Sequence, residues 1–391
     1  MPFAEQLISV SCIRTLGQCL SQGSPGLAWT AVNTVTAALP GLGLAARAAA
    51  TRDALLADMP GGYRECEEIV SRALEDPAFT GWMIWPVSEA VAARALASAE
   101  GDAFESGLAL LARLTTRLTG EFAIRAFLNA DLDRTLRVVQ TWVAADDDRL
   151  RRLASEGTRP RLPWAKRVPA LFARPEVTLS ILDALHRDSS EFVRRSVGNH
   201  LNDISRIAPG LAVDVARRWV TANGEVPPVV RHGMRTLIKQ AHPAALALMG
   251  FGSAQDLRVD GPLLHTPRVA VGQAIEFDYS VTNTGAGPVK VAIDYVIHFR
   301  KASGALAPRV YKLAVRTLAP GETVVASRRH PLVPLTTRRH YPGAHALELQ
   351  VNGMRHGQAA FDLAAVIPLG SRLGSVETAA TFASEDASAA T

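Results

Sequence analysis

Residues 151–165 read Arg-Arg-Leu-Ala-Ser-Glu-Gly-Thr-Arg-Pro-Arg-Leu-Pro-Trp-Ala. Four arginines and a tryptophan surround one carboxylate, Glu156, in a stretch broken by Gly157, Pro160 and Pro163. Across 149–174, eight Lys/Arg accompany that single acid. A guanidinium fork matches phosphate oxygens bidentately. An exposed indole offers a flat face to a base, and a carboxylate in a positive field is held ionised by neighbouring cations. The combination points to chemistry on a polyanion rather than to binding alone.

A second segment repeats the pattern. Phe-Val-Arg-Arg-Ser-Val-Gly-Asn at 192–199 aligns with 149–156 at an offset of 43, so Asn199 takes the register of Glu156 and Arg195 that of Arg152. Asp203 lies one helical turn beyond Asn199. Adjacent helices are therefore expected to present Glu156 and Asp203 to one space, flanked by Arg152 and Arg195. Salt bridges between repeats are the plainer role for those two arginines. Arg159 and Arg161 sit in a Pro-broken loop without nearby acids, which favours phosphate. Trp164 follows Pro163 and is expected near the start of the next helix, as a platform for a base or deoxyribose or as a core residue sealing the turn. Glu121 falls at an expected helix N-terminus, where it either caps the helix or adds a third carboxylate. Ser196, His200 and Asp203 do not read as a hydrolase triad, because no strained nucleophile turn or oxyanion loop accompanies them. The sequence offers no Gly-rich phosphate loop, and Cys12, Cys19 and Cys66 lack metal-ligand spacing.

The elements that must position these residues fall into two classes. Residues 1–252 read as helices, with Leu, Ala and Val at three- and four-residue spacing and Pro or Gly between. Val-Val-Arg-His-Gly-Met-Arg-Thr at 229–236 continues the repeat 37 residues after 192–199. Offsets near 40, with two helices per unit, predict a HEAT-like-repeat α-solenoid with a concave inner face. Residues 257–363 change character. Alternating runs at 276–283, 289–299, 310–318, 323–330, 344–351 and 358–363, with Asn283-Thr-Gly and Asn352-Gly turns, predict an all-β immunoglobulin-like sandwich. The fold class is thus mainly α, with the sandwich following the solenoid. Residues 364–391, rich in Ala, Ser and Thr, are expected to be disordered.

At 391 residues, 48% hydrophobic and 20% charged, the chain is long enough for two cores and is neither fibrous nor wholly disordered. The net charge of +5 favours an anionic partner. Residues 257–363 hold thirteen Lys/Arg against seven Asp/Glu, including the doublets Arg300-Lys301, Arg328-Arg329 and Arg338-Arg339 near predicted strand ends and loops. Three cysteines without a disulfide pattern, with no signal peptide or membrane span, lead to the expectation of a cytoplasmic protein.

Residues 151–165, Ser-Val-Gly-Asn-His-Leu-Asn-Asp-Ile at 196–204 and Arg-His-Gly-Met-Arg-Thr-Leu-Ile-Lys at 231–239 resemble the AlkC-type alkylated-base DNA glycosylases. These belong to the HEAT-like-repeat superfamily, and some carry a C-terminal immunoglobulin-like domain. The resemblance spans nearly all of the helical part. It implies excision of cationic N-methylated bases, chiefly 3-methyladenine and 3-methylcytosine, from double-stranded DNA. Glu156, Asp203 and Glu121 would be the catalytic carboxylates. Trp164, Arg152, Arg159, Arg161, Arg195, Asn199, His200, Arg235 and Lys239 would be the DNA-binding set. No metal or organic cofactor is implied, and a monomer is expected. Ala126 departs from the expected proline. A non-catalytic HEAT-repeat scaffold for DNA or protein is the alternative, although acids inside an arginine cluster repel phosphate and serve such a scaffold poorly.

Overall fold

The computed structural model describes residues 4–252, 254–333 and 339–365. Of residues 364–391, expected to be disordered, Ala364 instead ends a strand and 366–391 lie outside the described residues, as does Arg338. The chain divides into two units between Met249 and Gly250.

The first unit is helical. In the Glu191–Ser205 helix, Val193, Val197, Leu201 and Ile204 recur at helical spacing and all are buried. That stripe seats the helix between the Asp148–Glu156 and Pro228–Lys239 helices, which contribute Leu153, Val230, Met234 and Leu237. The approach to the latter is close. A Cβ on Gly198 would lie 2.7 Å from the His232 ring, and one on Gly233 2.6 Å from Leu201. The Leu179–Leu185 and Pro209–Trp219 helices back this row. Proline opens the Pro169–Ala173, Pro209–Trp219, Pro228–Lys239 and Pro243–Leu248 helices, where its missing N–H costs nothing. Because the row repeats at nearly constant offset, residues in equivalent register fall on one edge of it.

The second unit holds eight strands among the described residues: β1 Leu257–Leu264, β2 Arg268–Ala270, β3 Ala274–Asn283, β4 Val289–Arg300, β5 Leu306–Leu318, β6 Thr323–Pro331, β7 Gly343–Val351 and β8 Met354–Ala364. They form a three-stranded sheet, β1-β3-β6, and a five-stranded sheet, β2-β8-β7-β4-β5. The β2–β8 pair is parallel and the other pairs are antiparallel. Ile275, Phe277, Tyr279 and Val281 alternate inward from β3 and meet Ile293, Tyr295, Ile297, Leu347 and Leu349 in one core. The β7–β8 hairpin turns through Asn352 (φ 42°) and Gly353 (φ 80°), the conformation that the Asn-Gly pair favours. Arg328 and Arg329, expected at a strand end or loop, lie within β6.

Candidate active site

Two acids stand at the C-terminal ends of neighbouring helices, and a third lies in a turn close by. Glu156 is the last residue of Asp148–Glu156, and Asp203 is in the final turn of Glu191–Ser205. Glu121 lies in the turn between the Ala103–Thr115 and Ile124–Ala130 helices. A helix C-terminus carries partial negative charge, so carboxylates gathered there require cations. Arginines supply them.

Arg159 is the centre of the arrangement. Its Nη1 donates to Glu156 Oε1 at 2.5 Å, its Nε to Asp203 Oδ2 at 2.9 Å and its Nη2 to Asp203 Oδ1 at 3.3 Å. The Arg161 amide donates to Asp203 Oδ2 at 3.2 Å. Arg152 extends the chain of charges. Its Nη1 pairs with Glu121 Oε2, its Nη2 lies 3.6 Å from Glu156 Oε1, and its guanidinium sits 5.0 Å from the Phe192 ring centre. The Thr119 hydroxyl donates to Glu121 Oε2 at 3.1 Å. Glu121, Glu156 and Asp203 thus belong to one connected network.

Burial sets the electrostatics. Glu156, Arg159 and Asp203 are each less than a tenth exposed. Burial pushes the Asp203 carboxyl above its ordinary range and outweighs the opposing pull of Arg159 and the Arg161 amide. Burial alone would drive the Arg159 guanidinium down, but two carboxylates hold it up.

Several sequence expectations change here. Arg159 is not a loop arginine free for phosphate, because the chain after Gly157 turns back and inserts it between two acids. The Asp203 partner is 44 residues away, which local sequence could not show. Glu121 does not begin a helix, since the next helix starts at Ile124. Trp164 does not begin one either, because the following helix starts at Pro169. Instead Trp164 adopts φ 64° in a turn and is 65% exposed, so it does not seal a core. His200 offers no surface for DNA. It is wholly buried, with Nδ1 2.9 Å from the Ser155 carbonyl and Nε2 3.2 Å from the Thr178 hydroxyl, and burial drives its pKa down to about 3.

The remaining expected residues lie along the same row of helices. Arg161 and Arg195 are exposed, and Arg195 makes no ion pair among the described residues. Asn199 Oδ1 is 2.9 Å from His232 Nε2 and accepts from Arg235 Nη2 at 3.1 Å, which ties Arg235 to the Glu191–Ser205 helix. Lys239 is exposed at the end of the Pro228–Lys239 helix. Ala126 faces a cleft with Leu56, Ala92 and Phe122, apart from the carboxylate network.

Arg125 was missed by sequence reasoning. It is 1% exposed and donates only to backbone carbonyls, those of Gly157, Arg159 and Lys166. The available signal was a charged residue inside the apolar run Phe122-Ala-Ile-Arg-Ala-Phe-Leu128, where an arginine is buried only if fully satisfied. Among the described residues, no group of three or more His, Cys, Asp or Glu is arranged to hold a metal ion. No helix there is long and apolar enough to cross a membrane.

Comparison with known proteins places this geometry. Residues 119–233, which contain the whole carboxylate network, match the family described as DNA alkylation repair enzyme. Residues 258–365 match the C-terminal Ig-like domain of the uncharacterised protein YhaZ. The YhaZ protein of Bacillus subtilis strain 168 is 36% identical over 250 residues, covering 64% of this chain and 70% of that protein. The Pseudomonas fluorescens alkylpurine DNA glycosylase AlkC, solved with DNA containing an abasic-site analogue, superposes with a TM-score of 0.85 at 33% identity, covering 93% of this chain and all of that one. With one third of its residues shared across nearly its whole length, and with both of its units matched, the chain belongs to the AlkC family of DNA repair glycosylases.

Proposed function

We propose that the protein hydrolyses the N-glycosidic bond of cationic N-methylated bases, 3-methyladenine and 3-methylcytosine, in duplex DNA and leaves an abasic site. The observation that carries this reading is the buried Glu156–Arg159–Asp203 network, followed five residues after Arg159 by the exposed indole of Trp164. An N3-methylated base already bears positive charge, so its departure needs little acid catalysis. The demand falls on the sugar, which develops oxocarbenium character, and on a water that must be oriented. Fixed carboxylates meet both needs, and preorganised groups of this kind contribute about 10²–10³ in rate each. Asp203, held by Arg159 and the Arg161 amide, is suited to position the water in its ionised form. Glu156 and Glu121 add negative potential. The Trp164 face supports the cationic base or sugar through cation–π attraction.

The helices form a HEAT-like solenoid in this reading, whose concave face carries Arg152, Arg161, Arg195, Arg235 and Lys239 toward the DNA backbone. The protein acts as a monomer without cofactor. Incubating it with methylated duplex DNA and identifying any released base against standards tests the substrate assignment. Release of 3-methyladenine or 3-methylcytosine is expected. Binding of the same DNA by a folded protein that releases neither base would leave only the scaffold role. The carboxylate-based site also predicts a monofunctional enzyme, so near-stoichiometric borohydride trapping of an enzyme–DNA adduct would contradict it.

A further inference from the structure

Arg125 stands behind the site rather than in it. From the Ile124–Ala130 helix, its Nη1 donates to the carbonyls of Gly157 at 3.1 Å and Arg159 at 2.6 Å, and its Nε to that of Lys166 at 2.9 Å. Asn129, one turn further on, donates to the Arg167 carbonyl at 3.0 Å. The acceptors lie on both sides of Trp164. One guanidinium therefore grips the segment before and after its most strained residue, a non-glycine at φ 64°. Such a conformation persists only where the surroundings over-determine it.

The charge matters as well as the hydrogen bonds. Among the described residues Arg125 has no carboxylate partner, and burial lowers its pKa to about 10, so it remains cationic at neutral pH. A buried cation held only by carbonyls is costly unless fully bonded. It lies close enough to Asp203 to interact with it electrostatically. Carbonyls just past the end of the Asp148–Glu156 helix carry the negative pole of that helix, which favours a cation there.

We infer that Arg125 is a positioning residue for base excision: its guanidinium sets the conformation of residues 157–167, and with it the seat of Arg159 between the carboxylates and the stance of Trp164. The inference rests on the glycosylase reading for its kinetic part and on geometry alone for its structural part. The groups facing Asp203 are Arg159 and the Arg161 amide from the segment, Glu156 from the preceding helix, Arg125 from behind and Arg235 from the Pro228–Lys239 helix. Removing one cation from this set makes the ionised form of Asp203 less favourable. The acid limb of the pH–rate profile then moves to higher pH.

The test uses the full chain with Arg125→Met and Arg125→Lys. Backbone amide exchange needs no substrate. In Arg125→Met it should accelerate across 157–168 and stay unchanged in the Glu191–Ser205 helix. Single-turnover excision should fall about 10- to 100-fold from misplacement of Arg159 and Trp164, with little loss of DNA affinity and with the acid limb shifted upward. Arg125→Lys keeps the charge but cannot span both sides of the segment. It should hold the acid limb near that of the wild type while restoring only part of the protection and rate. Wild-type exchange in a folded Arg125→Met protein overturns the inference, as does an equal loss of rate and affinity with an unmoved acid limb. Should Arg125→Met fail to fold, full wild-type protection and rate in Arg125→Lys would refute it. A wild-type protein that releases no base removes the glycosylase reading and the kinetic half, and exchange still decides whether Arg125 sets the segment.

Discussion

The two units use charge in opposite ways. The β unit carries most of the chain's positive excess, yet several of its ion pairs lie on open faces, such as Arg329 with Glu276 and Arg268 with Asp362. Water screens such pairs, and they contribute little to stability. Arg316 of β5 and Arg328 of β6, both exposed, have no ion-pair partner among the described residues. The helical unit is almost neutral by count, but it buries Glu156, Arg159 and Asp203 in contact with one another. On the proposed reading, net charge marks where a polyanion would be held. Buried charge marks the proposed reacting site, because removing one buried group leaves another uncompensated.

The comparison predicts its largest effect at the centre of the network. Arg159→Met leaves two buried carboxylates without their cation and should lower the stability of the helical unit by about 3–5 kcal/mol. Urea unfolding measures this, and a midpoint near that of the wild type would show that the network is solvated. Next come the acids themselves. Glu156→Gln and Asp203→Asn should each reduce single-turnover excision by roughly 10²-fold or more while DNA affinity holds or improves slightly, since a repulsive charge is lost. Near-wild-type rates in the double variant would move the chemistry elsewhere. An effect confined to acid pH concerns His200. Its folded pKa of about 3 lies below the unfolded value of about 6.5, so the folded state resists protonation. The stability it contributes is complete above about pH 6.5 and is lost progressively as the pH falls toward 3, at about 1.4 kcal/mol per pH unit. His200→Gln should flatten that part of the stability–pH curve, and an identical slope would deny the buried neutral imidazole.

The pairing of Glu156 with Asp203 could be read from sequence because stacked helices repeat at nearly constant offset. A register shift of 43 residues sets Asn199 against Glu156, and Asp203 follows one helical turn later. Most strands were legible for a similar reason, since alternation survives wherever one face is buried. Between Asp260 and Leu263 the β1 register shifts, at Gly261-Pro262, so that strand shows no clean alternation. The segment after Glu156 was legible in its composition only. Residues 157–168 have no period, and their path is set by Arg125 from one helix and Asp203 from another. The burial of Arg159 and the left-handed turn at Trp164 are tertiary outcomes. His200 was misplaced for the converse reason: a polar residue in helical register reads as surface until the Ser155 carbonyl and Thr178 hydroxyl are seen to satisfy it.

The smallest predicted effect tests the other side of the comparison. Arg316 and Arg328 come from edge strands of the two different sheets, yet both act electrostatically on Tyr279, whose phenol is raised chiefly by burial and pulled down by the two cations. Two guanidinium groups without a carboxylate partner, Arg328 also bonded to the Tyr295 hydroxyl, gather positive charge near one tyrosine, where an anion would be favoured. If duplex DNA supplies it, each lost phosphate contact reduces the slope of log affinity against log salt by about 0.9. Arg316→Gln with Arg328→Gln should then flatten the slope by up to about 2 and weaken binding equally to damaged and undamaged duplex, because phosphate carries no information about the base. Excision at saturating enzyme should be unaffected, since both positions lie outside the carboxylate network. An unchanged slope in the folded double variant would assign these arginines to solubility. A changed excision rate at saturation would break the division between a holding unit and a reacting one.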